Sequence, residues 1–144
     1  MYKRLSFVVL FVAVFLLGNS VQAGTLDGYT PITKAETLIG VRWVGEWKSD
    51  FGSGYYEIEI TAVDAMRGII AKGARETTET GKVPVSLAYG RIENGKIVFT
   101  NLRRGQRIEL AQYGDLIMRG IWQTDSGTKS GTYELKRSQE QAER

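Results

Sequence analysis

The chain has 144 residues, 42% of them hydrophobic and 24% charged, with 19 Lys+Arg against 16 Asp+Glu and a net charge of +3. That length suits one domain with a core of its own. The sequence contains no histidine and no cysteine. This excludes disulfides, a lipid-modified cysteine anchor and a thiol nucleophile, and it removes the usual zinc ligands and the commonest general base.

In chain order, Lys3 and Arg4 form a basic head, followed by the apolar run Leu5 to Leu17 and a polar stretch ending Val21-Gln22-Ala23. This is the layout of a secretory signal peptide over residues 1–23, cleaved after Ala23. The run is too short for a membrane span, which needs roughly 20 residues. The chain is therefore expected in the periplasm or outside the cell, with no stable membrane insertion after cleavage. Loss of Lys3 and Arg4 lowers the net charge from +3 to +1. The remaining basic residues are interspersed with acids, apart from Arg103-Arg104 with Arg107 nearby, which reads as a solvated loop. A nucleic-acid partner is not expected.

Residues 24–40 form a lead-in. Thr33-Lys34-Ala35-Glu36 has the spacing of a capping box, which predicts a short helix over Lys34 to Leu38. From Val41 the period becomes two, the period of strands. Trp43 to Trp47 opens the first strand. Tyr55 to Ala62 is the second, with Tyr56, Ile58, Ile60 and Ala62 on one face. Arg67 to Lys72 is the third. Thr77-Thr78-Glu79-Thr80-Gly81 reads as a polar loop. Val83 to Ile92 is the fourth strand, with Val85, Leu87 and Tyr89 on one side. Asn94-Gly95 is a strong hairpin signal, because both residues must take positive φ. Lys96 to Thr100, Arg107 to Gln112, Leu116 to Trp122 and Gly131 to Arg137 complete eight strands. Residues 138–144 read as a flexible tail.

Eight short strands joined by local turns predict an all-β fold over residues 41–137, an eight-stranded antiparallel up-and-down barrel. A β-sandwich is the alternative. An outer-membrane barrel is not expected, because the strands read as short and several outer faces carry Glu or Lys.

The segment Gly45-Glu46-Trp47 resembles the Gly-x-Trp signature at the first strand of the calycin superfamily, which includes lipocalins and avidin-like barrels. The resemblance implies that Trp47 packs across one barrel end beneath a cation near the end of the last strand, here Lys136 or Arg137. The Trp-x-Gly-x-Trp start, the hairpin Gly90 to Phe99 and the strand Gly114 to Trp122 are also similar to small exported bacterial proteins with a lipocalin-like barrel. That group brings no function with it. Small bacterial protease inhibitors share the layout of leader and barrel, generally with a disulfide that this chain lacks.

Trp43, Trp47, Tyr56, Tyr89, Phe99 and Trp122 fall on faces read as inward. They either fill the core or line a pocket for a hydrophobic or aromatic ligand. In the pocket reading, Trp43, Tyr56, Tyr89 and Trp122 line it, with Arg119 as a charged handle at the rim. Gly45, Trp47, Lys136 and Arg137 are structural. Glu57 and Glu59 could serve as paired carboxylates of a hydrolase, but on the polar face of a strand they read as solvated. No catalytic residue, cofactor or metal is implied. The expectation is an exported, non-enzymatic binding protein for a small, largely apolar ligand. The alternative is a protein-binding module such as a hydrolase inhibitor.

Overall fold

A computed structural model describes residues 26–101, 105–124 and 126–139. The leader, Arg103-Arg104, Asp125 and tail residues 140–144 lie outside the described residues. Eight strands follow one another: β1 (Arg42–Ser49), β2 (Gly52–Asp64), β3 (Gly68–Thr77), β4 (Gly81–Glu93), β5 (Lys96–Asn101), β6 (Gln106–Tyr113), β7 (Ile117–Thr124) and β8 (Ser130–Arg137). Each pairs antiparallel with its neighbour, and β8 pairs back onto β1. The barrel is closed, so the sandwich alternative is overturned, and closure leaves no sheet edge exposed.

Alternation sets the two faces. Directly opposed residues share a face, so the register Trp43↔Ile58, Ile58↔Gly73 and Gly73↔Val85 traces one inward layer. The core is Trp43, Ile58, Ile60, Ile69, Ile97, Phe99, Leu110, Met118 and Leu135 with their neighbours. Outward positions carry ion pairs. Arg107 bridges Glu93 and Glu109 at 2.9 Å each, and Lys96 reaches Glu109 at 3.1 Å. Apolar inside and charged outside is the reverse of a membrane barrel's polarity. No helix among the described residues is long and apolar enough to cross a membrane.

Asn94 and Gly95 take φ of 51° and 75° in the β4–β5 turn, as the Asn-Gly pair predicts. Three other expectations fail. The capping box does not form: Ala35–Leu38 is a single 3-10 turn whose N-cap, Lys34, has no side-chain cap bond. Instead Ala35 and Leu38 are buried against the core, so packing holds this turn. Strands β2 and β4 are 13 residues each, longer than their apolar patterns suggest, and β3 runs past Lys72 to Thr77, with the polar turn confined to residues 78–80. Third, two bulges break strict alternation. The β2–β3 register steps from Ile60↔Ala71 to Ala62↔Ile70, which takes Ala62 off the inward face. The β3–β4 register steps from Ala71↔Leu87 to Ile69↔Gly90, so Ala88 and Tyr89 stand against Ile70 alone. The extra residue reverses the phase of the strand.

The barrel ends differ. The 3-10 turn covers the end where β1 begins. The Gly40 amide donates to the Ile60 carbonyl at 2.9 Å and the Ile32 amide to the Gly95 carbonyl at 2.9 Å. At the opposite end the described residues place the β1–β2 and β3–β4 turns.

Candidate functional site: the open end of the barrel

Near the 3-10 turn the inward Ile60, Ile69 and Ile97 are buried, and Val41 and Ile92 are partly buried. The opposite end is less covered. Val83 is 44% exposed, Val85 and Trp122 are only partly buried against the core, and Arg75 is exposed. Arg75 faces inward because it stands across from Tyr56 on β2 and from Val83 on β4. Gln106 and Thr124 oppose each other on the same rim, both half-buried.

Beneath this mouth lie three aromatic side chains. Trp47 is buried, and its indole Nε1 donates to the Glu76 carbonyl at 3.1 Å. Tyr56 and Tyr133 stack with ring centroids 4.3 Å apart, tilted 30°. The guanidinium of Arg75 lies over the Trp47 ring, 4.9 Å from its centroid. The buried Tyr56 hydroxyl has no hydrogen-bond partner, as is also true of Trp43 Nε1. Burial pushes the Tyr56 phenol up to about 12, and Tyr133 and the Arg75 charge act against that shift. Tyr133 is also raised, by burial first and then by Tyr56. The two hydroxyls perturb each other without reaching hydrogen-bonding geometry.

Of the residues expected to line a pocket, Trp43 is 1% exposed and Tyr56 2%. Both are packed core. Trp122 does face the mouth. Tyr89 is a correction: the β4 bulge turns it out, at φ 59° and 65% exposed, and Gly90 takes the inward place against Phe99. Arg119 points outward, as strand alternation from Met118 requires. It lies 4.9 Å from the Tyr113 ring centroid and 3.8 Å from Glu134.

The cation over Trp47 is also corrected. Lys136 is an exposed outward residue, and Arg137 stands across from Trp43, at the other end from Trp47. Arg75 fills the role instead. The sequence reading missed it because the third strand was ended at Lys72. The signal was Ile69, Ala71, Gly73 and Arg75 in phase, which needs only a longer strand. Gly45 holds its structural place: a β-carbon there would collide with the Glu134 carbonyl oxygen on β8.

Glu57 is held in an ion pair with Arg42 and accepts from Tyr55 Oη at 2.8 Å, with Lys82 at 3.5 Å. Burial alone would raise its carboxyl. The hydrogen bonds from Arg42 and Tyr55 and the charges of Arg42 and Lys82 outweigh burial and hold it below the ordinary range. A carboxylate so held is a poor proton donor near neutral pH. No cluster suited to a metal ion occurs among the described residues.

A groove of about 600 Å³ lies outside the barrel over β1, β7 and β8. It is floored by Val44 and Ile121 between Glu46, Arg119, Glu134 and Lys136. These are outward positions on the convex wall, several already paired, as in Arg119–Glu134 and Lys48–Glu46.

The fold is thus a closed eight-stranded up-and-down antiparallel barrel, filled at one end and, among the described residues, less covered at the other. Comparison with protein-family models, curated proteins and solved structures returned no match.

Proposed function

We propose that this chain is an exported, non-enzymatic binding protein that holds a small, largely apolar ligand at the open end of a lipocalin-like barrel. One observation carries the reading: at that end the inward Val83 is 44% exposed, and the inward Val85 and Trp122 are only partly buried. Apolar surface inside a barrel mouth gains about 25 cal/mol per Å² when a ligand removes it from water. The leader at residues 1–23 supports export, and the outward ion pairs support a barrel that does not enter a membrane. The ligand sits on top of a filled core, so this reading differs from a deep cup lined by Trp43 and Tyr56.

Tryptophan fluorescence of residues 24–144, titrated with lipids, aromatic metabolites and oligosaccharides, tests it. A saturable change with one chemical class is expected, because Trp122 borders the mouth. No change across the panel would overturn the reading.

A protein-binding role is the second reading. It is favoured by the exposure of Met66 and Tyr89 on adjacent segments of the closed end, where the Tyr89 amide donates to the Arg67 carbonyl at 2.7 Å.

A further inference from the structure

We propose that the mouth selects a carboxylate joined to an apolar body, with Arg75 gripping the carboxylate and Val83, Val85 and Trp122 receiving the body. This rests on the mouth being the ligand site and names the chemistry it recognises.

Two observations converge. Arg75 is an inward-facing cation with no carboxylate partner and no hydrogen-bond acceptor among the described residues. The other cations of the barrel wall are mostly committed elsewhere: Arg42 and Lys82 to Glu57, Lys96 and Arg107 to Glu109. Second, the contact with Trp47 is made to a ring face, 4.9 Å from its centroid, and takes up none of the guanidinium N–H donors in a hydrogen bond. Those donors match a carboxylate through two parallel hydrogen bonds.

The test compares decanoate with decan-1-ol, which share an apolar body and differ in the head group, by tryptophan fluorescence on the chain from residue 24, in wild type and in Arg75→Gln. The wild type is expected to bind decanoate at least tenfold tighter than decanol. Arg75→Gln is expected to remove that preference while still binding decanol. Equal binding of the two by the wild type overturns the carboxylate site and leaves the apolar mouth standing. A preference that survives in Arg75→Gln overturns the role of Arg75. Binding of neither overturns the inference together with the mouth itself. The wild-type comparison decides the matter even if the variant folds poorly.

Discussion

Arg75 and Trp47 lie on strands that do not pair, β3 and β1, yet the guanidinium carbon is 4.9 Å from the centre of the indole ring. The contact spans the barrel interior over β2. It joins β3 to β1 alongside the bond from the Trp47 indole N–H to the Glu76 carbonyl. A cation over tryptophan is worth roughly 0.5–2 kcal/mol, depending on how dry the contact is. Arg75→Ala should therefore lower stability by about 1 kcal/mol and shift the tryptophan emission. Trp47→Phe, which also removes the bond to the Glu76 carbonyl, should cost more. Chemical denaturation of the two variants checks the order, and an Arg75→Ala cost above that of Trp47→Phe would contradict it.

Tyr56 carries an opposite expectation at two pH values. Near neutrality its hydroxyl is buried without a partner, so Tyr56→Phe should be neutral or stabilising by about 1 kcal/mol. Its folded phenol lies at about 12 against 10.0 unfolded. The unfolded chain therefore loses that proton first, and stability falls as pH rises from 10 to 12. Two units amount to about 2–3 kcal/mol. Thermal melts from pH 9 to 12 should show a shallower decline for Tyr56→Phe than for the wild type. Parallel curves would show that Tyr56 is not the group responsible.

Glu57 gives the acid counterpart. Its folded carboxyl is held low, so the stability it contributes is present above its unfolded value and is lost as pH falls through the folded value. Glu57→Gln should cost roughly 1–3 kcal/mol at pH 7, the range for hydrogen bonds to a charged group. Below pH 3 the difference from wild type should shrink. An equal cost at pH 7 and pH 3 would mean that shape, not charge, holds Arg42, Tyr55 and Lys82 together.

The eight strands and the inward phase of Trp43, Trp47, Tyr56 and Trp122 were legible in the sequence, because a period of two needs only local alternation. The Asn94-Gly95 turn was legible for a similar reason: its backbone conformation restricts the residue choice. What the sequence hid was non-local. Nothing around Tyr89 marks a bulge, because a bulge is a mismatch between two strands. The polar run at the end of β3 concealed Arg75, because an inward residue at an open mouth need not be apolar. The 3-10 turn followed the burial of Ala35 and Leu38 rather than the capping box.

Gly45 should tolerate no side chain. A methyl group there meets the backbone of Glu134 across the β1–β8 seam that closes the barrel. Gly45→Ala should destabilise by about 3 kcal/mol or more, at the upper end of overpacking costs. Urea unfolding checks this, and a loss below 1 kcal/mol would mean that the seam can shift.

Tyr89 sits at positive φ, which costs a residue with a β-carbon roughly 1–2 kcal/mol. Its ring is exposed, so Tyr89→Gly should stabilise the fold by about 1 kcal/mol, and Tyr89→Val should destabilise it. A melting temperature lowered by the glycine would show that the ring makes a contact worth more than the strain.

The open end as the ligand site is tested most directly by backbone amide NMR of residues 24–144 during titration with decanoate. The account predicts saturable shifts concentrated at Arg75, Val83, Val85 and Trp122, with Val44 and Ile121 on the outer wall and Met66 at the closed end unmoved. Shifts centred on the outer wall or the closed end, with the mouth silent, would contradict it.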